Sequence, residues 1–300
     1  MSSIYQEKYS NCRLCARNCG VDRVNGKSGF CKSTATPKIA RAALHMWEEP
    51  IISGQRGSGT IFFSGCSLGC IFCQNAEISF GVSGREVSED RLAEIMLELQ
   101  QKGAHNINFV TPTHFAPTVC VSVRIARDKG LTVPIVYNTG SYDNVETVKM
   151  LNGTVDIYLA DYKYNRKETA KKYSAAENYT EVCRLAIDEM VDQCGVPVVK
   201  DGIMRSGVIV RILLLPGHVA EAKLSVKYLY EKYGDNIYIS LMNQYTPMKN
   251  MPHPLDRKVS GEEYRELVDY AIKKGVKLAF IQEGDTAKES FIPPFDYTGV

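Results

Sequence analysis

The sequence predicts an α/β protein, a parallel sheet curled into a partial (β/α)6 barrel behind a small cysteine-rich extension. Three observations carry that expectation. From residue 58 onward, short β-rich runs alternate with helix-like stretches. Those runs are apolar throughout, the pattern of parallel strands covered on both faces. Seven of the ten cysteines lie before residue 74, in a stretch with little periodicity.

The strand candidates are TIFFS (60–64), INFVT (107–111), TVPIVYN (132–138), VDIYLA (155–160), VIVRILLL (208–215) and NIYISLM (236–242), with VKLAFI (276–281) as a seventh candidate. Between them lie amphipathic segments. In SEDRLAEIMLELQQKG, Leu92, Ile95, Met96 and Leu99 follow the spacing of one buried helix face, and Ser88 is placed to cap it. Tyr264, Leu267, Val268 and Ala271 repeat the pattern in GEEYRELVDYAIKKG, which Gly275 ends. Six strand–helix units favour a barrel over a doubly wound sheet. Either places function at the carboxyl ends of the strands. The expected division is an extension over residues 1–56 and a core barrel with a C-terminal cap over 57–300. The extension is basic and aperiodic, and such a segment needs a metal or cluster to fold by itself.

The composition, 44% hydrophobic and 23% charged with a formal net charge of +2, is that of a soluble globular protein and selects no partner by charge. The N-terminus shows no apolar signal core, and no run reaches the roughly 18 apolar residues of a membrane span. A cytoplasmic protein without a membrane partner is the expectation. There, ten cysteines point to metal or cluster ligands before disulfides. Cys120, Cys183 and Cys194 stand apart in apolar contexts and read as small buried hydrophobes.

Residues 65–75 read GCSLGCIFCQN, so Cys66, Cys70 and Cys73 follow the first strand candidate with spacing C-x3-C-x2-C. The spacing lets three thiolates converge from one loop, with Gly65 and Gly69 giving it freedom to wrap and Phe72 supplying an aromatic wall. Structural zinc and the ordinary iron–sulfur cube both take four protein ligands. The motif is therefore one short. It is completed by a distant residue such as Cys120, as zinc or a redox site, or it is open by design. In the extension, Cys12, Cys15, Cys19 and Cys31 offer four thiols as C-x2-C-x3-C-x11-C, enough to close a site around zinc or a second iron–sulfur cluster.

GCSLGCIFCQN, in this position, resembles the signature of the radical S-adenosylmethionine (SAM) superfamily. That resemblance implies a [4Fe–4S] cluster on Cys66, Cys70 and Cys73 whose open iron chelates SAM. It also implies reductive cleavage of SAM to a 5′-deoxyadenosyl radical that abstracts a hydrogen atom, chemistry the cofactor carries and the protein positions. Within the superfamily the chain most resembles the pyruvate formate-lyase activating enzymes, in a form with a cysteine-rich extension. The similarity runs through EEPIISGQRGSGTIFFSGC, NINFVTPTH, VYNTGSYD, DIYLADYKY, RILLLPGH and SLMNQYTP, each close to a strand end. It implies a glycyl radical enzyme, or another peptide or protein, as partner and a flavodoxin- or ferredoxin-like electron donor.

The resemblance also implies roles at the strand ends. Where the superfamily has a Gly-Gly-Glu-like stretch holding the SAM amino group through backbone carbonyls, this chain has Thr111, Pro112, Thr113 and His114. Backbone recognition survives that change, while His114 reads either as a SAM or substrate contact or as a loop cap. Asn138 and Thr139 match positions facing the ribose and methionine, with Asn138 where the activases tend to have Asp. Asp161 and Lys163 match their Asp-Leu-Lys, Lys163 to pair with the SAM carboxylate. Arg211, a charge inside an apolar strand, needs a partner, either SAM, substrate or a structural Glu. Asn243, Gln244 and Tyr245 are placed to meet the adenine, and His218 shares that face. Glu48 and Glu49 either position substrate or extension, or are exposed. The rival from another class is a non-catalytic iron–sulfur or zinc protein for sensing or nucleic-acid binding. The extension lacks the interleaved aromatics that nucleic-acid binding would need.

Overall fold

The computed structural model describes residues 3–81, 83–282 and 293–300. Its strands are β1 (Lys38–His45), β2 (Ser58–Phe63), β3 (Arg85–Glu86), β4 (Ile107–Val110), β5 (Ile135–Thr139), β6 (Ile157–Asp161), β7 (Val198–Lys200), β8 (Ile203–Leu213), β9 (Tyr238–Met242) and β10 (Ala279–Ile281). They form one sheet in the order β10-β9-β8-β6-β5-β4-β2-β1-β3, with β7 added to β8. From β2 to β10 along this order, every neighbouring pair is parallel. Among the described residues β10 and β3 do not pair, so the sheet curls without closing, as the partial barrel expected from the sequence does.

All six strand candidates and the seventh are strands of this parallel run. Their continuous apolarity has the expected cause: in β2, β4 and β5 every residue is buried. β1, β3 and β7 escape that pattern because they pair antiparallel at the margins, where charged and exposed residues are tolerated. β1 comes from residues grouped by sequence with the extension, and it adds to the edge of the core sheet.

The two anticipated helices form as their caps dictate. In the helix Glu89–Gln101, Ser88 Oγ accepts from Arg91 N at 3.1 Å, and Leu92, Ile95, Met96 and Leu99 are buried. The helix Gly261–Lys274 starts with a Ser260–Glu263 capping box and stops at Gly275, whose φ of 85° only glycine adopts without strain.

Two arginines fasten the cysteine-rich segment to the core. Arg17 donates from Nε to Ser67 O (2.9 Å), from Nη2 to Leu68 O (3.0 Å) and Ser174 O (2.8 Å), and from Nη1 to Ala175 O (2.5 Å). Its guanidinium also lies 3.7 Å from the Phe30 ring centroid. Arg23 is 1% exposed and donates to Ser33 O, Thr34 O and His114 O. Gly65 completes the junction: a Cβ there would strike Ser33 Oγ and lie 2.5 Å from Cys31 O, and φ is 88°. The loop bearing Cys66 therefore rests directly on the chain at Cys31.

Arg17→Ala is expected to lower stability by about 2–3 kcal/mol, since it strands carbonyls that accept charge-assisted hydrogen bonds. Arg17→Lys should recover little of this, because an ammonium cannot reproduce the planar fork. Urea unfolding of the three proteins measures both effects.

Candidate active site

One large cavity, about 380 Å³, opens on the concave face of the sheet at the carboxyl ends of its strands. Of the core residues that the sequence singled out for a cluster or SAM, Cys66, Cys70, Cys73, Thr111, Thr113, Asn138, Thr139, Asp161, Lys163, Arg211, Gln244 and Tyr245 line it, whereas His114 and Asn243 do not. The lining residues come from six different strand ends, and the parallel register is what aligns them. Asp161 pairs with Arg211 across β6 and β8, and Arg211 with Ser240 across β8 and β9.

The three thiols sit on the loop after β2, and all ten described cysteines are free. Cys70 Sγ accepts from Ser174 Oγ at 3.0 Å, Cys73 Sγ lies 3.0 Å from Ser79 Oγ, and Leu68 N donates to Cys66 Sγ at 3.3 Å. Phe72 is buried edge-on against Tyr164, Tyr173 and Tyr245, the wall the sequence suggested. Burial, followed by the neighbouring thiols Cys73 and Cys70, pushes the Cys66 thiol up to about 12, and burial raises Cys73 as well. Such thiols ionise readily only when a cationic centre joins them.

Beyond the thiols is a charged network. Asp161 Oδ2 accepts from Lys163 Nζ at 2.7 Å and Oδ1 from Arg211 Nε at 2.7 Å. Arg211 Nη2 donates to Asn138 Oδ1 at 2.6 Å, and Nη1 lies 3.5 Å from Glu48 Oε2. Burial alone would raise the Asp161 carboxyl, but Arg211 and Lys163 outweigh it and hold it below the usual range. Burial likewise opposes the charge on Lys163 and Arg211, and Asp161 more than restores it, so both pKa values lie above normal. Arg211 lines the cavity, with Asp161 as its short ion-pair partner and Glu48 at longer range. Glu48 and Glu49 are not exposed; both line the cavity and both carboxyls are raised by burial.

Thr111 has φ 57°, a left-handed conformation that is rare for a β-branched residue. It falls where the superfamily resemblance expects glycine. Thr113 and Thr139 turn their hydroxyls toward one another at 3.3 Å, and Thr139 Oγ1 donates to buried Asp143 at 2.6 Å. Their side chains therefore brace the loop after β5. His114 caps a loop: Nε2 donates to Ser64 O at 2.8 Å, and burial, then Arg23, pushes its pKa down to about 3. Gln244 O accepts from Gln74 Nε2 at 2.9 Å, tying the cysteine loop to the end of β9. Asn243 N donates to Gln282 Oε1 at 2.8 Å, and His218 Nε2 lies 3.3 Å from Tyr173 OH. Sequence reasoning missed Gln74, Ser79, Ser174 and Ser240, whose single polar side chains carry no spacing signal.

In the extension, Cys12, Cys15 and Cys31 are buried and Cys19 is exposed. Burial raises the Cys15 thiol to about 12. Cys12 Sγ accepts from the buried Arg23 at 3.5 Å.

Residues 60–221 match the Radical SAM superfamily, and the chain belongs to that superfamily. It is similar to an uncharacterized protein of Methanocaldococcus jannaschii, MJ0674, with 28% identity over 91% of this chain and 77% of the relative. Among solved structures it resembles histidine-tagged anSMEcpe with bound AdoMet (TM-score 0.50, 14% identity, 72% of this chain and 58% of that one). A crystal structure of Streptococcus suis SuiB also aligns, with TM-score 0.47 and 10% identity over 76% of this chain and 48% of that one. The chain thus spans about half the length of these two solved structures, and the likeness to anSMEcpe, at 14% identity, is one of fold.

The superfamily implies a [4Fe–4S] cluster and SAM, and the cavity suits them. Three free thiols from one loop meet basic side chains, Lys163 and Arg211, in the same space. Among the described residues no three His, Cys, Asp or Glu side chains converge on a point where a single metal ion would sit. A cube asks for a wider arrangement, because each thiolate reaches a different iron. Among the described residues, no helix is long and apolar enough to cross a membrane.

Two outcomes follow from this geometry. His114 takes up a proton in the unfolded chain near 6.5 but in the folded protein only near 3. Stability should therefore fall as the pH drops from about 6.5 toward 3, and His114→Gln should flatten that decline in urea midpoints measured against pH. Thr111→Gly removes the strained left-handed conformation and should raise stability by about 1 kcal/mol, read from the same unfolding assay.

Proposed function

We propose that the cavity is the site of reductive SAM cleavage, with the cluster on Cys66, Cys70 and Cys73, and that a hydrogen atom is taken there from a separate substrate. The single observation carrying this reading is the meeting of three free thiols with Lys163 and Arg211 in one cavity at the strand ends. When bound, cluster and SAM supply an electron and a carbon-centred radical. The protein's part is positional. Lys163 and Arg211 offer positive charge to the SAM carboxylate, and Asp161 keeps both in place. When SAM is bound, backbone carbonyls around Thr111 and Thr113 would accept from its amino group, and Asn138, Thr139 and Gln244 would hold its nucleoside. Ser174 and the Leu68 amide donate toward the Cys70 and Cys66 sulfurs, Ser79 Oγ lies beside Cys73 Sγ, and these contacts would tune the potential of a bound cluster. Phe72 and its tyrosines keep that side of the loop dry.

The finer reading is activation of a glycyl radical enzyme, with a flavodoxin- or ferredoxin-like donor. It is supported by the resemblance of the strand-end motifs to those of the activases. The alternative, a different peptide, protein or small molecule, is supported by the buried carboxylates at the cavity wall, which a backbone glycine would not use. The thiols of Cys12, Cys15, Cys19 and Cys31 we assign to a second cluster or to zinc, which would have to draw them together. Buried Arg23 supports an anionic thiolate centre there, since its cation has carbonyls and Cys12 Sγ around it.

Anaerobic reconstitution with SAM and a reductant should yield 5′-deoxyadenosine, and Cys70→Ala should abolish it. Lys163→Met should weaken SAM binding by about tenfold or more while leaving the iron content of the cluster intact. No 5′-deoxyadenosine from the intact protein would sink the catalytic reading. Iron and zinc analysis of Cys12→Ala beside the parent identifies the metal of the extension, and unchanged content of both would remove that assignment.

A further inference from the structure

The cavity has a second charged end. β1 finishes beside the start of β2, where His45 pairs with Ser58. Beyond it the chain turns under the sheet into the helix Pro50–Ser53, whose Ile52 packs with Val136, Ile157, Leu159 and Ile209. That turn carries Glu48 and Glu49 onto the cavity wall toward the amino ends of the strands. Glu48 Oε1 accepts from Asn108 Nδ2 at 2.9 Å, two residues back along β4 from Val110. The cysteine loop leaves β2 at the opposite end.

Carboxyl groups outnumber cations on this wall among the described residues. Three carboxylates, Glu48, Glu49 and Asp161, face two cations, Lys163 and Arg211. Burial, then Arg41, lowers the His45 pKa, so His45 adds no charge at neutral pH. Asp161 takes both cations at 2.7 Å, and Glu48 has only the longer 3.5 Å approach of Arg211. Glu49 is 8% exposed, and its buried Oε2 has no hydrogen-bond partner. Asn108 Oδ1, beside Glu48, is a second buried acceptor without a donor. Among the described residues, this end of the cavity offers Glu49 Oε2 no N–H donor, and the cation that acts on Glu49, Arg211, is already bound to Asp161. A buried carboxylate left in that state is costly, while a partner both cationic and hydrogen-bonding offsets the cost.

We infer that Glu49, with Glu48 beside it, recognises a cationic nitrogen group, a primary ammonium or a guanidinium, on the substrate that gives up the hydrogen atom. This deepens the function proposed above and rests on it. The cationic end lies at the carboxylates, and the carbon to be attacked extends toward the cysteine loop. Trp47, 62% exposed on the same cavity, offers an aromatic face to the entering cation. A neutral or anionic group of the same size would leave Glu49 unpaired, so the site selects by charge. A metal ion fits less well, because among the described residues no three side chains of ligand type converge there.

Trp47 is the chain's single tryptophan, so its emission reports the site directly. The experiment titrates the full-length, anaerobically reconstituted protein holding SAM with n-butylammonium, n-butylguanidinium, neutral 1-pentanol, Na⁺ and Mg²⁺, correcting for cluster absorption. The expected result is saturable binding of one or both organic cations, weakened about tenfold or more in Glu49→Gln, and no comparable binding of pentanol. Equal affinity for pentanol and butylammonium in the parent protein overturns the inference without any variant. So does organic-cation binding unaffected by Glu49→Gln, or Glu49-dependent binding of Na⁺ or Mg²⁺ alone. 5′-Deoxyadenosine is measured on the same parent sample. Its formation without cation binding sinks only the inference, and its absence sinks the catalytic reading itself.

Discussion

The cavity depends on one buried carboxylate. Asp161 ends β6 and draws Lys163 and Arg211 to itself, each at 2.7 Å. None of the three charges would be stable alone in that setting, because burial opposes each of them. Together they form a pre-arranged pair of cations that cannot drift apart. Arg211 then fixes Asn138 on β5 and reaches Glu48, so the network spans from the sheet's middle strands to the turn beneath it. Glu49 feels the same Arg211, and its buried Oε2 has no hydrogen-bond partner among the described residues.

A second constraint is where the cysteine loop can lie. It is held from two sides: Arg17 takes the carbonyls of Ser67 and Leu68, and Gly65 lets the chain at Cys31 approach within van der Waals distance. The loop after β5 is held from the extension as well, through Asn144 Nδ2 to Arg13 O and Cys15 O. The extension therefore braces both the loop that carries the thiols and the loop that carries Thr139.

The sequence showed the parallel strands because burial on both faces leaves an unbroken apolar run, and it showed the thiols because their spacing on one loop is local. The charged residues at strand ends were legible for a related reason, since Arg211 or Asp161 is conspicuous beside the apolar residues of its own strand. β1 was not legible, because KIARAALH mixes charge with apolar residues as a marginal antiparallel strand can. Nor was the work of Arg17 and Arg23, which in a basic, aperiodic segment look like any solvated charges.

By itself, then, the sequence determined the sheet, its parallel sense, the three-thiol loop and the identities of the strand-end residues. These follow from local pattern: period, apolarity and spacing. Only the tertiary structure decided which side chains share a cavity and which merely brace it. It gave Thr113, Thr139 and His114 partners that hold loops, and it placed Glu48 and Glu49, for which the sequence left both positioning and exposure open, on the cavity wall. The reason is physical. The partner of a buried polar group comes from a distant part of the chain, and its identity is set by the curl of the sheet, which no local spacing records.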